Sequence, residues 1–598
     1  AACLATRPAK PAAVPEQSLR DRWATTARAA GHHPAKVIAA VLRRHRAPVP
    51  PSAGQLAAHL LGPSGLTAQA TGFDRRDLLQ ALCQCLPAGT ATDRARVEAI
   101  ADQVLASRDV VRLAAPVDDG ARWSTTELLA VEQHALRTAS QLQAVPDREI
   151  PPDQATETLT GRLSGEQQAM VRALTAADGL AVVVGPAGAG KTAALAAAVQ
   201  VWAGQGRPVT GAAVAAVTAR RLEHATGAPS TSLTWLLHTV RRMNPATRGE
   251  TGLLPGSVLV VDEASMVDTR TLAMLLHHTR QAHATLVLVG DPAQLPEIGA
   301  GGLFAALTQH PATITLTDNR RQTEAWERRA LSDLRAGDPD AAVAAYADHQ
   351  RVHTAPADQL PDRIVEDYLR LRDEPMATDT ARDEAGERVV MLAVRRSDVT
   401  KLNATARRRL LEDGRLGLDA VVAGGGHRAR EYRAADQVLV TANDHRLGLL
   451  NGTRGTVTGV DPQAQTLTVR DDEDRQATVT ADWAAGHLDH GYAMTCHKAQ
   501  GATVETALLY GSGALTREAG YVALSRGRTA NHLYVTERDD TQPAAWIEDD
   551  EHLDRLAANL AVRRAQTLAS RQLPAAECER WRPPTSTAPY RQAEGISR

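Results

Sequence analysis

A glycine-rich turn between an apolar run and a run of helix formers constrains this chain more than any other stretch. It reads AVVVGPAGAGKTAALAAAVQVW, from Ala181 to Trp202. Four apolar residues enter the turn without alternation, as in a strand covered on both faces of a parallel sheet. The turn itself, Gly185 to Thr192, matches G-x-x-x-x-G-K-[ST]. Its glycines, Gly185, Gly188 and Gly190, let backbone N–H groups close around phosphate oxygens. The helix that follows aims its positive end at the same oxygens. Lys191 is then placed to reach the β- and γ-phosphates of ATP, and the Thr192 hydroxyl to bind Mg2+.

Two further apolar runs end in polar tips. SVLVVDEASMVD delivers Asp262 and Glu263 to the C-terminal end of a strand, where α/β proteins bind their ligands. Asp262 is read as a second Mg2+ ligand, and Glu263 as the base that orients and deprotonates an attacking water. Adjacent acids after a strand can also cap a helix. Beside a phosphate loop the pair points to hydrolysis instead. TLVLVGDPAQLPEIGAGGLF ends a third strand in Gly290-Asp291-Pro292, with Gln294 just beyond. A neutral amide there can sense the γ-phosphate and relay its loss.

The chain has 598 residues, enough for several domains, and 43% of them are hydrophobic. Lys and Arg number 67 against 69 Asp and Glu, so a nucleic-acid partner needs a local basic face. Five scattered cysteines do not read as a disulfide framework and fit a reducing cytoplasm. Cys83 and Cys85 have no second Cys/His pair near them in sequence to complete a zinc site. No apolar run reaches the roughly 20 residues of a membrane span. A chain that opens on Ala1 rather than Met reads as part of something longer.

The texture changes along the chain. Residues 1–20 are rich in Pro and Ala and read as a linker; short helices then follow to about residue 113. From Leu163 apolar strands alternate with helices, at 181–184, 208–213, 258–261, 285–289, 389–394 and 506–510. Such alternation implies parallel sheets with crossover helices. Between Gly414 and Asp482, DQVLVTAN, GTRGTVTGVD and AQTLTVRDD are short strands with Gly, Asn and Asp turns, which reads as a small antiparallel barrel. The end of the chain reads as a helix over 548–570 and a disordered polar tail.

GDPAQLP resembles a motif of superfamily 1 helicases, and from there the likeness runs over residues 160–540 with motifs in family order. The chain resembles the RecD-like branch, and within it the helicase half of conjugative relaxases of the TraI/TrwC type. LSGEQQAMV is similar to an adenine-reading motif and places Gln167 on the base. LTDNRRQTEAW makes Arg321 a γ-phosphate arginine supplied by a second lobe, and YVALSRGRT makes Arg526 another. HGYAMTCHKAQGATVE implicates Thr495, His497 and Lys498 in DNA contact, and Gln500 and Gly501 on the nucleotide side. RRSDVTKLN (Asn403), NGTRGTV (Asn451) and Ser232 are weaker echoes of DNA contacts. In this reading the catalytic set is Lys191, Glu263, Gln294, Arg321 and Arg526.

The resemblance implies an α/β fold of two RecA-like P-loop lobes with an inserted small β-barrel and an N-terminal helical or winged-helix module. The matching boundaries are a module at 21–155, lobe one at 156–315 and lobe two at 316–413 with 490–545. The barrel takes 414–489, and a helix and tail take 546–598. It implies an ATP- and Mg2+-dependent DNA helicase moving 5′ to 3′ on single-stranded DNA and at duplex junctions, with conjugation-transfer proteins as partners. A nicking domain, with its N-terminal Tyr and metal-binding His cluster, is not in this sequence. GAAVAAVTARRLEHATG also lacks the usual Pro-Thr of its motif, with Val214 and Ala215 there. Two other readings stand beside this one: a RecD-like repair helicase, and a DNA-holding module with a dead ATPase. Intact Lys191, Glu263, Gln294, Arg321 and Arg526 argue against the last. Trp235, Trp326 and Tyr492 lie beside motifs and read first as core residues.

Overall fold

The computed structural model describes residues 16–34, 36, 51–87, 93–114, 120–145, 163–242, 253–374, 388–426, 429–537 and 551–581. The first 15 residues of the expected linker and the end of the expected tail lie outside them. The chain divides into two compact units. One takes residues up to Leu66 together with Gly72–Thr125, and the other takes Thr67–Thr71 with Thr126 onward.

The first unit is helical, with one short ribbon. Helices Ala53–Leu60 and Arg75–Cys85 each open on a capping box, Ser52 with Gln55 and Asp74 with Asp77. Their apolar stripe, with Leu56, Leu60, Leu78 and Leu82, closes on Phe73, Ala101 and Val104. Strand β1 (Val110–Arg112) pairs antiparallel with β2 (Trp123–Thr125), Val111 opposite Ser124. Cys83 and Cys85 lie on the second of these helices, one exposed and one half-buried.

The second unit begins with helix Thr126–Gln143. The sequence grouped it with the N-terminal module. Its buried face, Val131, Ala135, Ala139 and Leu142, instead shares a core with Leu272 and Leu276 of the helix Thr269–Ala282. Six parallel strands follow: β3 (Leu180–Val184), β4 (Val209–Ala213), β5 (Ser230–Ser232), β6 (Val258–Val261), β7 (Thr285–Gly290) and β8 (Ile314–Thr315). They lie in the order β5-β4-β6-β7-β3-β8. Every residue of β3, β6 and β7 is buried, because helices cover both faces, and this is why those strands read as unbroken apolar runs. All six strands point the same way, so every loop that carries chemistry leaves one edge.

The chain then crosses into a second lobe with β9 (Val352–Ala355) and β10 (Val389–Ala393). There it departs into an antiparallel excursion. β11 (Ala420–Ala423) pairs with β12 (Arg430–Arg433). β13 (Gln437–Val440), β14 (Arg454–Asp461), β15 (Thr466–Asp471), β16 (Gln476–Thr480) and β17 (Leu488–His490) form a sheet ordered β16-β15-β14-β13-β17. Val438, Val440, Val457, Leu467 and Val469 fill its own small core. The chain returns through β18 (Ala493–Thr495), β19 (Val504–Gly511) and β20 (Gly527–Thr536). These complete a parallel sheet ordered β18-β10-β19-β20-β9.

The C-terminal region differs from its expected form. The helix spans Glu551–Ala561 and packs Leu556 and Leu560 into the second-lobe core. The stretch after it is extended and reaches the first lobe, where Leu568 is buried with Leu303 and Phe304. Glu132 accepts hydrogen bonds from the N–H groups of Ala569 and Ser570, at 2.9 and 2.8 Å. Leu568 and Ala569 therefore anchor this stretch to the first lobe, and it is not the continuation of the preceding helix. Among the described residues no helix is long and apolar enough to cross a membrane.

Candidate active site

The phosphate loop joins β3 to the helix Lys191–Gly204. Gly188 and Gly190 have φ of +84° and +72°, which side chains rarely adopt. Space forbids them too. A Cβ on Gly190 would lie 2.2 Å from Gln167 Nε2, and one on Gly188 would lie 2.6 Å from Arg321 Cβ. The helix opens on Gly190 without a side-chain cap, so its first N–H groups are left for an anion. Lys191 Nζ donates to the carbonyls of Gly185 and Pro186 at 2.7 and 3.1 Å, folded back across the loop it serves. Thr192 is exposed, and no residue covers its hydroxyl.

Asp262 and Glu263 follow β6. The Asp262 carboxyl accepts the Glu263 N–H at 2.9 Å. Burial raises its pKa to about 6, with the Glu263 charge adding to the rise and Lys191 opposing it. Thr192 and Asp262 offer the hard oxygen donors that suit Mg2+. Glu263 has φ +52°, a left-handed conformation that is uncommon for a residue with a side chain. Asp291 at the end of β7 is fully buried and paired with Arg335 at 3.1 Å. Gln294 is 2% exposed, and its Oε1 is buried with no hydrogen-bond partner. Such an atom is costly unless something arrives to bond it.

The second lobe meets these groups. Gln500 Nε2 donates to Glu263 Oε2 at 3.1 Å, while Gln500 Oε1 is buried without a partner. Gly501 follows with φ +77°. Arg321 Nη1 donates to the Ser525 carbonyl at 2.8 Å. Burial and then the nearby Arg526 charge pull its pKa down to about 9, and Glu263 pulls the other way. Arg526 is buried and spends its guanidinium on Val522 O, Ala502 O and Ser525 Oγ. Lys191, Asp262, Glu263, Gln294, Arg321, Gln500 and Arg526 thus gather around one cleft.

Sequence reasoning gave no role to three residues of that cleft. Tyr521 accepts the phosphate-loop N–H of Ala187 at 3.0 Å and donates to Asp291 Oδ2 at 3.1 Å. Arg335 holds the other side of Asp291. Tyr521 stands inside YVALSRGRT, but an apolar-looking helix gave no sign that its hydroxyl points across the cleft.

Gln167 is buried, and its amide is already engaged. It caps its own helix through Ser164 and donates to the carbonyls of Ala189 and Gly190 at 3.3 and 3.2 Å. The residues assigned to DNA separate into two groups. Thr495 ends β18 and His497 and Lys498 follow it in the next loop, and Asn451 lies on an exposed turn of the inserted sheet. Ser232 ends β5, one residue before the helix Leu233–Arg242. Asn403 must be corrected: it is a pin inside the second lobe. Its Nδ2 donates to His490 O and Ala493 O, and its Oδ1 accepts Ala493 N–H at 2.7 Å. A buried amide spent on backbone groups is not available to DNA.

A cavity of about 320 Å³ separates the helix Ala216–Thr226, the inserted sheet and the loop after β18. Arg220, Arg221, Arg454 and Lys498 line it. The acidic turn after β15 meets them, with Glu473 3.5 Å from Arg220.

Comparison with known proteins follows the same outline. The AAA domain family matches residues 162–357. The conjugal transfer protein TraA of Rhizobium radiobacter is 32% identical over 485 residues, 79% of this chain and 42% of that protein. The chain thus spans about two fifths of the length of that relative. The RecBCD enzyme subunit RecD of Mycolicibacterium smegmatis is 31% identical over 452 residues, 68% of this chain and 76% of that one. The Pif1 helicase of Candida albicans, a crystal structure, is 20% identical with a TM-score of 0.40, covering 62% of this chain and 94% of that one. With the phosphate loop, the acidic pair and the facing arginines in place, the chain belongs to the RecD-like family of superfamily 1 DNA helicases and is similar to conjugal transfer proteins.

Proposed function

We propose that the chain is an ATP-driven motor on single-stranded DNA, moving 5′ to 3′, and the helicase portion of a DNA-transfer protein. One observation carries the reading: Glu263 of the first lobe is bonded by Gln500 of the second, with Lys191, Arg321 and Arg526 around the same point. Gly188 and Gly190 shape the loop for a triphosphate, and Lys191 leaves its carbonyls to bind the γ-phosphate. Glu263 takes the proton of the attacking water, and Gln294 senses the γ-phosphate by donating from its amide Nε2, while its unbonded Oε1 accepts from the same water. Arg321 and Arg526 stabilise charge on the transferred phosphoryl group when the lobes close. Mg2+ held by Asp262 and Thr192 would neutralise the phosphate oxygens.

The DNA path in this reading runs past Ser232, Asn451, Thr495, His497 and Lys498. The inserted sheet acts as the small barrel over that path, and the first unit as a winged-helix-like module. The division into lobes at 156–315 and 316–413 with 490–545 belongs to the same reading, as do a cytoplasmic setting and conjugation-transfer partners. A repair helicase is the second reading, favoured by the long match to RecD. ATP hydrolysis with and without single-stranded DNA is the test. Strong stimulation is expected, and hydrolysis indifferent to DNA would sink the motor. Overhang polarity then tests direction, and unwinding of a duplex junction tests helicase action.

A further inference from the structure

Among the described residues, Trp123, Trp202, Trp326 and Trp483 have ring or core partners, whereas Trp23 and Trp235 are exposed. Trp202 is fully buried in the first-lobe core. Trp326 lies flat on His349, ring centroids 4.0 Å apart. Trp483 stacks on His487 and donates to Asp444. Trp235 of the first lobe is 57% exposed. It stands in the first turn of the helix Leu233–Arg242, where its backbone N–H donates to Ser232 Oγ at 3.4 Å. Leu233, Leu236 and Leu237 bury that helix against the lobe, and Thr234, Trp235 and His238 are exposed. Packing therefore asks nothing of the indole.

Its place is specific. Ala213 of β4 is in register with Ser232 of β5, so exposed Val214 leaves the sheet at the level where the Trp235 helix begins. β4 also pairs with β6, which delivers Asp262. The end of β5, from which the Trp235 helix starts, thus lies about two strand spacings, roughly 10 Å, from the end of β6.

We propose that Trp235 is a stacking platform for a base of single-stranded nucleic acid crossing the ends of β5 and β4. The inference rests on the motor reading above and adds a contact to it. An indole face with a hydroxyl beside it suits a flat heterocycle. The helix Ala216–Thr226, which begins at the end of β4, supplies Arg221 to the cavity beside the inserted sheet, and its guanidinium suits a phosphate of the same strand. Stacking is tolerant of sequence, as a motor requires. An indole and a valine among polar neighbours do not make the contiguous apolar patch of a protein interface.

The test is equilibrium binding of a fluorescent oligo-dT to the whole chain over a salt series. Trp235→Ala is expected to bind roughly tenfold more weakly at every salt concentration with an unchanged slope of log affinity on log salt, because stacking releases no counterions. Trp235→Phe should recover most of the loss. Affinity within about twofold of the parent for Trp235→Ala would overturn the inference while leaving the motor reading intact. So would a loss that Trp235→Phe does not recover and that tracks a fall in thermal midpoint, since Trp235 would then be structural. If the parent chain does not bind the oligonucleotide at all, the motor reading fails and the inference with it.

Discussion

Glu263 holds its carboxylate by an unfavourable turn of backbone. A left-handed φ costs a residue with a side chain about 1–3 kcal/mol, and here it directs the carboxylate to Gln500 across the cleft. Glu263→Gln should retain nucleotide binding and lose hydrolysis by at least about a hundredfold, read as single-turnover ATP cleavage beside nucleotide affinity. Asp262 sets a pH dependence. Burial raises its pKa to about 6, above the usual aspartate value, so the fold shifts the balance toward the protonated acid. Mg2+ needs the carboxylate, so its affinity should be full above pH 7 and about tenfold weaker at pH 5. Titration of Mg2+-dependent nucleotide binding checks this. The same burial lowers the stability of the protein above pH 6, and that contribution is relieved as pH falls through 6. The acids are legible because charge at a strand tip has few other uses, the lysine because a glycine-rich turn precedes it, and the arginines only through the family resemblance. Sequence could not tell the spent amide of Asn403 from a free one, nor exposed Trp235 from the buried Tyr492, because local composition does not show which face of an element the rest of the chain covers.

Among the elements, the central strands were the most legible. β3, β6 and β7 announced themselves by apolar runs bounded by Gly and Asp. The extended stretch after Ala561 did not, because its order comes from partners about 270 and 440 residues away: Leu303 and Phe304, and Glu132. Glu132 is buried, and burial raises its pKa against two backbone hydrogen bonds that lower it. Glu132→Ala strands two N–H groups and should cost about 2–4 kcal/mol, seen as a lower denaturation midpoint. It should also expose the bonds after Val562 to limited proteolysis while the parent resists. Helix Thr126–Gln143 was misgrouped for a related reason. Its apolar stripe was readable, but not which core it joins.

At the scale of the whole second unit, the lobes meet at the phosphate loop through both an apolar cluster, with Ala187 and Leu295 against second-lobe residues, and a set of polar groups. Tyr521 joins the Ala187 N–H to Asp291, and Arg335 closes the set. Tyr521→Phe removes one hydroxyl and leaves the ring in its core. It should leave nucleotide affinity within about threefold and lower DNA-stimulated kcat by about tenfold, because the hydroxyl is where one lobe registers the other's loop. A change confined to KM would refute that role. The chain itself crosses between the lobes twice, near residues 316–324 and again through 562–568, where it runs from the helix Glu551–Ala561 back to Leu568. A plate fastened at one point can tilt any way, but one fastened at two can only swing about the line between them. In the proposed motor, the second fastening confines closure of the lobes to a swing about that line, like a door on two pins.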